Sequence, residues 1–135
     1  MDWKIDLIPV PVADIDRAKA FYVDRVGFHD DHDITVSEDA RFVQLTPPGS
    51  ACSIVLDTTF TEMPSGSLRG LQMVVVSADE ARRHLVAAGV DASAVDDQPW
   101  GRFVYFADPD GNTWSLQELP EWSTGAGGSG ENPAL

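Results

Sequence analysis

The sequence predicts an α+β protein built from two tandem βαβββ modules. Its 135 residues, 43% apolar and 23% charged, suffice for one ordinary domain with a buried core. In each half an apolar run leads directly into a stretch with helical spacing, first LIPVPVAD and later LQMVVVSAD. The segments RFVQL-TPPG-SACSIVL and RFVYF-ADPDG-NTWSLQEL repeat one strand, turn and strand, which indicates an internal duplication.

The first half is predicted to contain a strand, a helix and three further strands. Residues 5–12 are extended because Pro9 and Pro11 are incompatible with a helix. A helix follows, with Asp14 at its N-cap and Gly27 at its left-handed C-terminal position. Three short strands are then expected at residues 34–36, 41–45 and 52–56.

The second half repeats this order. A β-branched strand at residues 71–77 precedes a helix capped by Ala78-Asp79 and ended by Gly89. Two strands, residues 102–107 and 113–119, flank the turn Asp108-Pro109-Asp110-Gly111, and one strand near Val95 is short or missing. We expect a single domain over residues 1–120, with modules at about 3–57 and 69–119. The Gly/Ser-rich residues 121–135 are expected to form a disordered tail.

The charge balance restricts the partners. With 22 acidic and 9 basic side chains the formal net charge is −13, so we expect neither nucleic acid nor a membrane surface as partner. The negative electrostatic field of such a protein favours neutral or cationic small molecules as partners. The chain contains no apolar run of membrane-spanning length and no signal-peptide pattern, so a cytoplasmic location is expected. Cys52 is the sole cysteine, which excludes an intrachain disulfide.

The duplicated module resembles the vicinal oxygen chelate superfamily, which includes glyoxalase I, bleomycin-resistance proteins and extradiol dioxygenases. Two segments carry the resemblance: Val12-Ala13-Asp14 leading to Ala20-Phe21-Tyr22 and Gly27-Phe28, and FADPDGN, which spans residues 106–112. It covers roughly residues 3–119. The resemblance implies a curved mixed sheet around a U-shaped cavity, with the helices outside.

In metal-using relatives, each module offers one ligand in its first strand and one in its last. The resemblance assigns these four positions to Leu7, Ser53, Gln72 and Ser115. A leucine cannot coordinate a metal, and neutral serine and glutamine are poor ligands for a catalytic divalent ion. We therefore expect neither a metal nor another cofactor.

Strand alternation predicts the side chains that line the cavity. If Ser53 and Ser115 face inward, their alternate neighbours do so too, whereas Ile54, Trp114 and Leu116 lie beneath the helices. Such a lining is apolar and aromatic with scattered amides and hydroxyls, as is typical of small-molecule sites. The predicted binding residues are Leu7, Pro9, Phe42, Gln44, Ser53, Val55, Gln72, Val74, Trp100, Phe103, Tyr105, Ser115 and Gln117.

Three other features have a structural and a functional interpretation. The segment HDDHD, residues 29–33, is interpreted as a solvated acidic stretch in which His29 and His32 point to opposite faces. An adventitious metal site there remains the alternative. Asp108 and Asp110 belong to turn chemistry rather than to catalysis. Trp100 either stacks on a ligand or is buried at a surface or interface.

The resemblance implies a protein that binds a drug or natural product in the manner of bleomycin-resistance proteins. The alternative is a metal-independent isomerase, cyclase or lyase acting on a natural-product intermediate. Such an enzyme needs a general acid or base, and Tyr105 is the one titratable side chain among the predicted lining. Leu7 disfavours a metal-dependent glyoxalase or dioxygenase. A homodimer is expected, paired side by side or by module swapping.

Overall fold

Each half of the chain forms a four-stranded mixed sheet with one helical region, so the predicted pair of βαβββ modules is confirmed. The computed structural model describes residues 1–57 and 61–123. By its contacts the chain divides into two units. The first comprises Met1–Arg69 together with Ala107–Thr113, and the second comprises Gly70–Phe106 together with the chain from Trp114.

The first unit contains the sheet of the first module. Its strands stand in the order β1-β4-β3-β2, with β1 parallel to β4 and the other pairs antiparallel. The elements are β1 (Leu7–Pro11), α1 (Ile15–Ala20), a π-helical segment (Phe21–Val26), β2 (His29–Ser37), β3 (Ala40–Thr46) and β4 (Ser53–Asp57).

The helical region has the two predicted ends. The side chain of Asp14 accepts a hydrogen bond from the Arg17 backbone N–H at 3.1 Å, which makes it the N-cap. Gly27 ends the region with φ of 104°, in the left-handed region that favours glycine. Its N–H bonds to the carbonyl of Tyr22, five residues earlier, so the last turns are wider than the predicted α-helix.

The second unit repeats this arrangement in its sheet. The strand order is β5-β8-β7-β6, with β5 parallel to β8 and β6 antiparallel to β7. The elements are β5 (Leu71–Val75), α2 (Ala78–Ala87), β6 (Asp96–Gln98), β7 (Gly101–Ala107), β8 (Thr113–Glu118) and a 3₁₀ turn (Glu121–Ser123). The three-residue β6 is the strand that the sequence predicted as short or missing near Val95.

Several predicted bounds were wrong. The strand predicted at residues 34–36 is the nine-residue β2, because its polar first half extends the pairing with β3. Ser77, rather than Ala78-Asp79, caps α2 by accepting from the Glu80 N–H at 3.2 Å. Of the predicted tail, residues 124–135 lie outside the described residues. No helix in the described part of the chain has the length and apolar character to cross a membrane.

Both sheets have one buried and one more open face. Along β3, Val43 and Leu45 are fully buried, whereas the alternate residues Phe42 and Gln44 are half-buried. Along β8, Trp114 and Leu116 are buried and Ser115 is half-buried. Four residues that strand alternation predicted to point away from the core are nevertheless buried: Ser53, Val55, Phe103 and Gln117.

Candidate functional site

The open face of the second sheet brings six predicted residues together. The parallel pairing of β5 with β8 sets Gln72 opposite Ser115 and Val74 opposite Gln117, so these four side chains share a face. Gln72 and Val74 are exposed. The remaining members are Phe103 and Tyr105, two alternate residues of the neighbouring strand β7. Phe103 and Gln117 were predicted to line a cavity, yet they are only 6% and 5% exposed.

Two glutamines on this face are held by a chain of hydrogen bonds. The Nε2 of Gln72 donates to the Oε1 of Gln117 at 2.8 Å, and the Nε2 of Gln117 donates to the carbonyl of Trp100 at 2.9 Å. Gly101 makes this approach possible, because a Cβ there would lie 2.9 Å from the Gln117 amide nitrogen. The exposed Gln72 is thereby fixed in orientation, with a polar group available to a ligand.

Aromatic side chains stand beside the glutamines. The rings of Phe103 and Tyr105 are stacked, with centroids 6.2 Å apart and planes 9° from parallel. Tyr105 is 41% exposed, and Trp100, in the turn between β6 and β7, is about half exposed. The Tyr105 hydroxyl donates to the Oδ2 of Asp96 at 2.7 Å, which raises the pKa of Tyr105 to about 12. The phenol is therefore neutral at physiological pH.

None of the predicted residues on the corresponding face of the first sheet is exposed. Leu7 lies opposite Ser53 in the register, and Val55 lies between Pro9 and Gln44. Leu7, Pro9, Phe42 and Gln44 are half-buried. Ser53 and Val55 were predicted to line a cavity, yet they are only 6% and 7% exposed. Side chains of β3 account for this at Ser53, whose Oγ lies 2.6 Å from the Thr46 Oγ1 and accepts from the Gln44 Nε2 at 3.3 Å.

The four positions that the family resemblance assigns to metal ligands form two adjacent pairs, Leu7 with Ser53 and Gln72 with Ser115. The first pair supplies a hydrocarbon and a hydroxyl that is already hydrogen-bonded, and the second supplies two neutral groups. This donor set does not fit a catalytic divalent ion, which requires carboxylate or imidazole ligands. Within residues 1–57 and 61–123, no group of three or more His, Cys, Asp or Glu side chains is placed to hold a metal.

The prediction that His29 and His32 point to opposite faces was wrong. A β-bulge in β2 sets His29 opposite Thr46 and His32 opposite Gln44, and these two partners share a face of β3. Asp31 is the extra residue. The side chains of His29, Asp31 and His32 therefore belong to the more open face of the first sheet. Their sequence did not predict this shared face, because a bulge changes strand parity without a reliable sequence signal.

Asp108 has the structural role predicted for it. Its Oδ1 accepts from the backbone N–H groups of Asp110, Gly111 and Asn112 at 2.9–3.0 Å, which closes the turn. Its Oδ2 accepts from the Tyr22 hydroxyl at 2.7 Å, within the first unit. Asp110 accepts from the Ala13 N–H and pairs with Arg17, so both carboxylates serve the fold.

Sequence and structure comparisons agree with this architecture. The profile of the Glyoxalase/Bleomycin resistance protein/Dioxygenase superfamily matches residues 4–116. The chain belongs to this superfamily. Its fold is similar to the crystal structure of TnmS3, an antibiotic binding protein from Streptomyces sp. CB03234. The identity is 38% over 88% of this chain and 98% of that chain, with a TM-score of 0.82.

Two further proteins are similar to this chain. One is a glyoxalase/bleomycin resistance protein from Streptomyces sp. CB03234, 39% identical over 85% of this chain and all of that chain, with a TM-score of 0.77. The other is the uncharacterized protein YetH of Bacillus subtilis (strain 168), 28% identical over 85% of this chain and 98% of that protein.

Proposed function

We propose that this protein binds a small organic molecule, neutral or cationic, on the open face of its second sheet. The main observation behind this proposal is the series of hydrogen bonds from Gln72 through Gln117 to the Trp100 carbonyl. The stacked rings of Phe103 and Tyr105 lie beside it. Oriented amides next to an aromatic surface are the elements from which small-molecule sites are built.

The chemistry of this face favours a flat ligand that bears oxygen or nitrogen. An aromatic ring can stack on the exposed part of Tyr105 or Trp100. The amide of Gln72 offers a hydrogen bond whose loss in a buried complex costs about 1–3 kcal/mol, so a matching polar group is selected. The description of TnmS3 as an antibiotic binding protein supports a drug or natural product as the ligand class.

Binding is favoured over catalysis on this face. A general base needs a pKa near the working pH, whereas the hydrogen bond to Asp96 holds the pKa of Tyr105 at about 12. The pairs Leu7 with Ser53 and Gln72 with Ser115 support a protein that works without a metal. A metal-independent isomerase, cyclase or lyase is the competing function. Its acid or base would be Asp96, which lies opposite Phe103 on this face and accepts the hydrogen bond of the Tyr105 hydroxyl.

The proposal is tested by equilibrium titration against bleomycin and a panel of flat, aromatic antibiotics that bear oxygen or nitrogen. We expect at least one to bind, with the same affinity after treatment with EDTA. Gln72→Leu removes the exposed amide while keeping the strand, so affinity should fall roughly ten- to hundredfold, or about 1–3 kcal/mol.

Leu116→Ala is the matched control, because Leu116 lies on the buried face of the same sheet. It should lower the free energy of unfolding by about 2–5 kcal/mol and leave affinity unchanged. Failure of the whole panel to bind, or normal binding by Gln72→Leu, would contradict the proposal.

We further propose that the protein is a homodimer. Strand β2 stands at the edge of the first sheet, and its apolar side chains Ile34 and Val36 are 52% and 69% exposed. An edge strand with exposed apolar side chains is a surface that another chain can cover.

A further inference from the structure

A cleft lies in the first unit where β2 begins and β3 ends. Its volume is about 520 Å³. Phe28, His29 and Asp31 line one side and Thr46 lines the other, and the turn of residues 47–50 completes the wall. None of these residues belongs to the predicted binding set or to the second sheet.

A fixed carboxylate forms the polar wall of this cleft. Because Asp31 is the bulged residue of β2, its side chain reaches both neighbours: the Oδ1 is 2.8 Å from the Nδ1 of His29, and the Oδ2 accepts from the Thr46 hydroxyl. These two hydrogen bonds lower the pKa of Asp31 below its ordinary value of 3.8, and the bond from Thr46 has the larger effect. The carboxylate is therefore ionised at neutral pH and remains 22% exposed.

The groups beside Asp31 are acceptors and apolar surfaces. When the Nδ1–H of His29 donates to Asp31, the Nε2 of this largely exposed ring is left as an acceptor. Phe28, Pro47 and Pro48 supply hydrocarbon. Apart from the carboxylate of Asp31 and the imidazole of His29, the lining side chains are uncharged.

We infer that this cleft is a second binding site, which takes the ammonium group of an organic amine. Asp31 is the counter-ion, His29 accepts an N–H through its Nε2, and the hydrocarbon part of the amine lies against the turn that contains Pro47 and Pro48. A charge-assisted hydrogen bond to a partly buried carboxylate is stronger than a neutral one. The net charge of −13 adds attraction for cations. The inference does not depend on ligand binding at the second sheet.

The experiment uses benzylamine, which is protonated near neutral pH, and benzyl alcohol as its neutral counterpart. Each is titrated into ¹⁵N-labelled full-length protein while amide resonances are recorded. We expect benzylammonium to shift the amides of residues 27–31, Thr46, Gly49 and Ser50, and to bind about tenfold more tightly than benzyl alcohol.

Asp31→Asn should abolish the preference for the amine. Asp24→Asn, which removes the same charge from an exposed position on the π-helical segment, should retain it. Shifts confined to other residues in the wild type, equal binding of the two compounds, or an undiminished preference in a folded Asp31→Asn would overturn the inference. Gln72→Leu should bind benzylammonium normally, which separates this site from the proposed face of the second sheet.

Discussion

The carboxylate of Asp108 accepts five hydrogen bonds within the first unit, three from backbone N–H groups of its own turn and two from the side chains of Tyr22 and Asn112. Asp108 is only 5% exposed, so these donors have little access to water. A buried donor without an acceptor costs about 1–3 kcal/mol. This side chain is therefore a residue on which the stability of the unit depends.

We expect Asp108→Ala to lower the free energy of unfolding by about 3–5 kcal/mol, because it leaves several buried donors unpaired at once. Urea denaturation followed by circular dichroism measures the change. Asp110→Ala serves as the comparison: it removes an ion pair with the half-exposed Arg17 and one backbone contact, so its effect should be smaller. Equal stability of Asp108→Ala and the wild type would contradict this role.

Local chemistry was predictable at the scale of single residues, and long-range pairing was not. The letters Asp-Pro-Asp-Gly identify a turn by themselves. That the same carboxylate meets Tyr22, 86 residues earlier, follows only from the folded chain. The bulge at Asp31 is a similar case, because it reverses the parity between His29 and His32 without a distinctive sequence pattern.

The elements of the first unit are joined by charged side chains. Arg41 of β3 binds Asp33 of β2 through two hydrogen bonds of 2.8 Å, and Lys19 of α1 donates to the same carboxylate at 2.7 Å. These contacts hold the pKa of Asp33 well below its ordinary value of 3.8, and the contact with Arg41 has the largest effect. The folded state therefore favours the ionised form of Asp33. The network stabilises the fold fully above about pH 3.8, the ordinary pKa of an Asp carboxyl, and this stabilisation is lost as the pH falls toward the lower pKa of the folded state.

Asp33→Asn should therefore be less stable than the wild type near pH 7, and the difference should shrink as the pH is lowered from about 4 to about 2. Chemical denaturation at a series of pH values measures it. Asp24→Asn is the control and should show little difference at any of these values. A constant gap between Asp33→Asn and the wild type across the series would contradict the argument.

Element order was easier to predict than element bounds. Helix ends carry local signals, and Asp14 and Gly27 were identified correctly from theirs. Strand β2 was underestimated because HDDHD has no alternating apolar pattern, and its pairing with β3 comes from the ladder itself. The same lack of a signal hid the cleft beside Asp31.

At the scale of the whole chain, duplication made the fold predictable. Two copies of one strand–turn–strand pattern, each preceded by a strand and a helix, leave few architectures open. Chemistry did not follow from the fold, because members of one fold family differ in their sites. Here Leu7 occupies a position that the family resemblance assigns to a metal ligand. The open faces of the two sheets also differ, because Ser53 is buried on the first whereas Gln72 and Tyr105 are exposed on the second.

The proposed homodimer predicts a species of twice the 14.6 kDa chain mass at micromolar concentration, measured by light scattering after size-exclusion chromatography. Val36→Lys places a charge on the exposed edge of the first sheet, where charges oppose edge-to-edge association, so it should shift the population toward monomer. Val86→Lys places the same charge on α2, where Val86 is also exposed, and should leave the dimer intact. A monomeric wild type contradicts the homodimer. A dimer insensitive to Val36→Lys locates the interface away from β2.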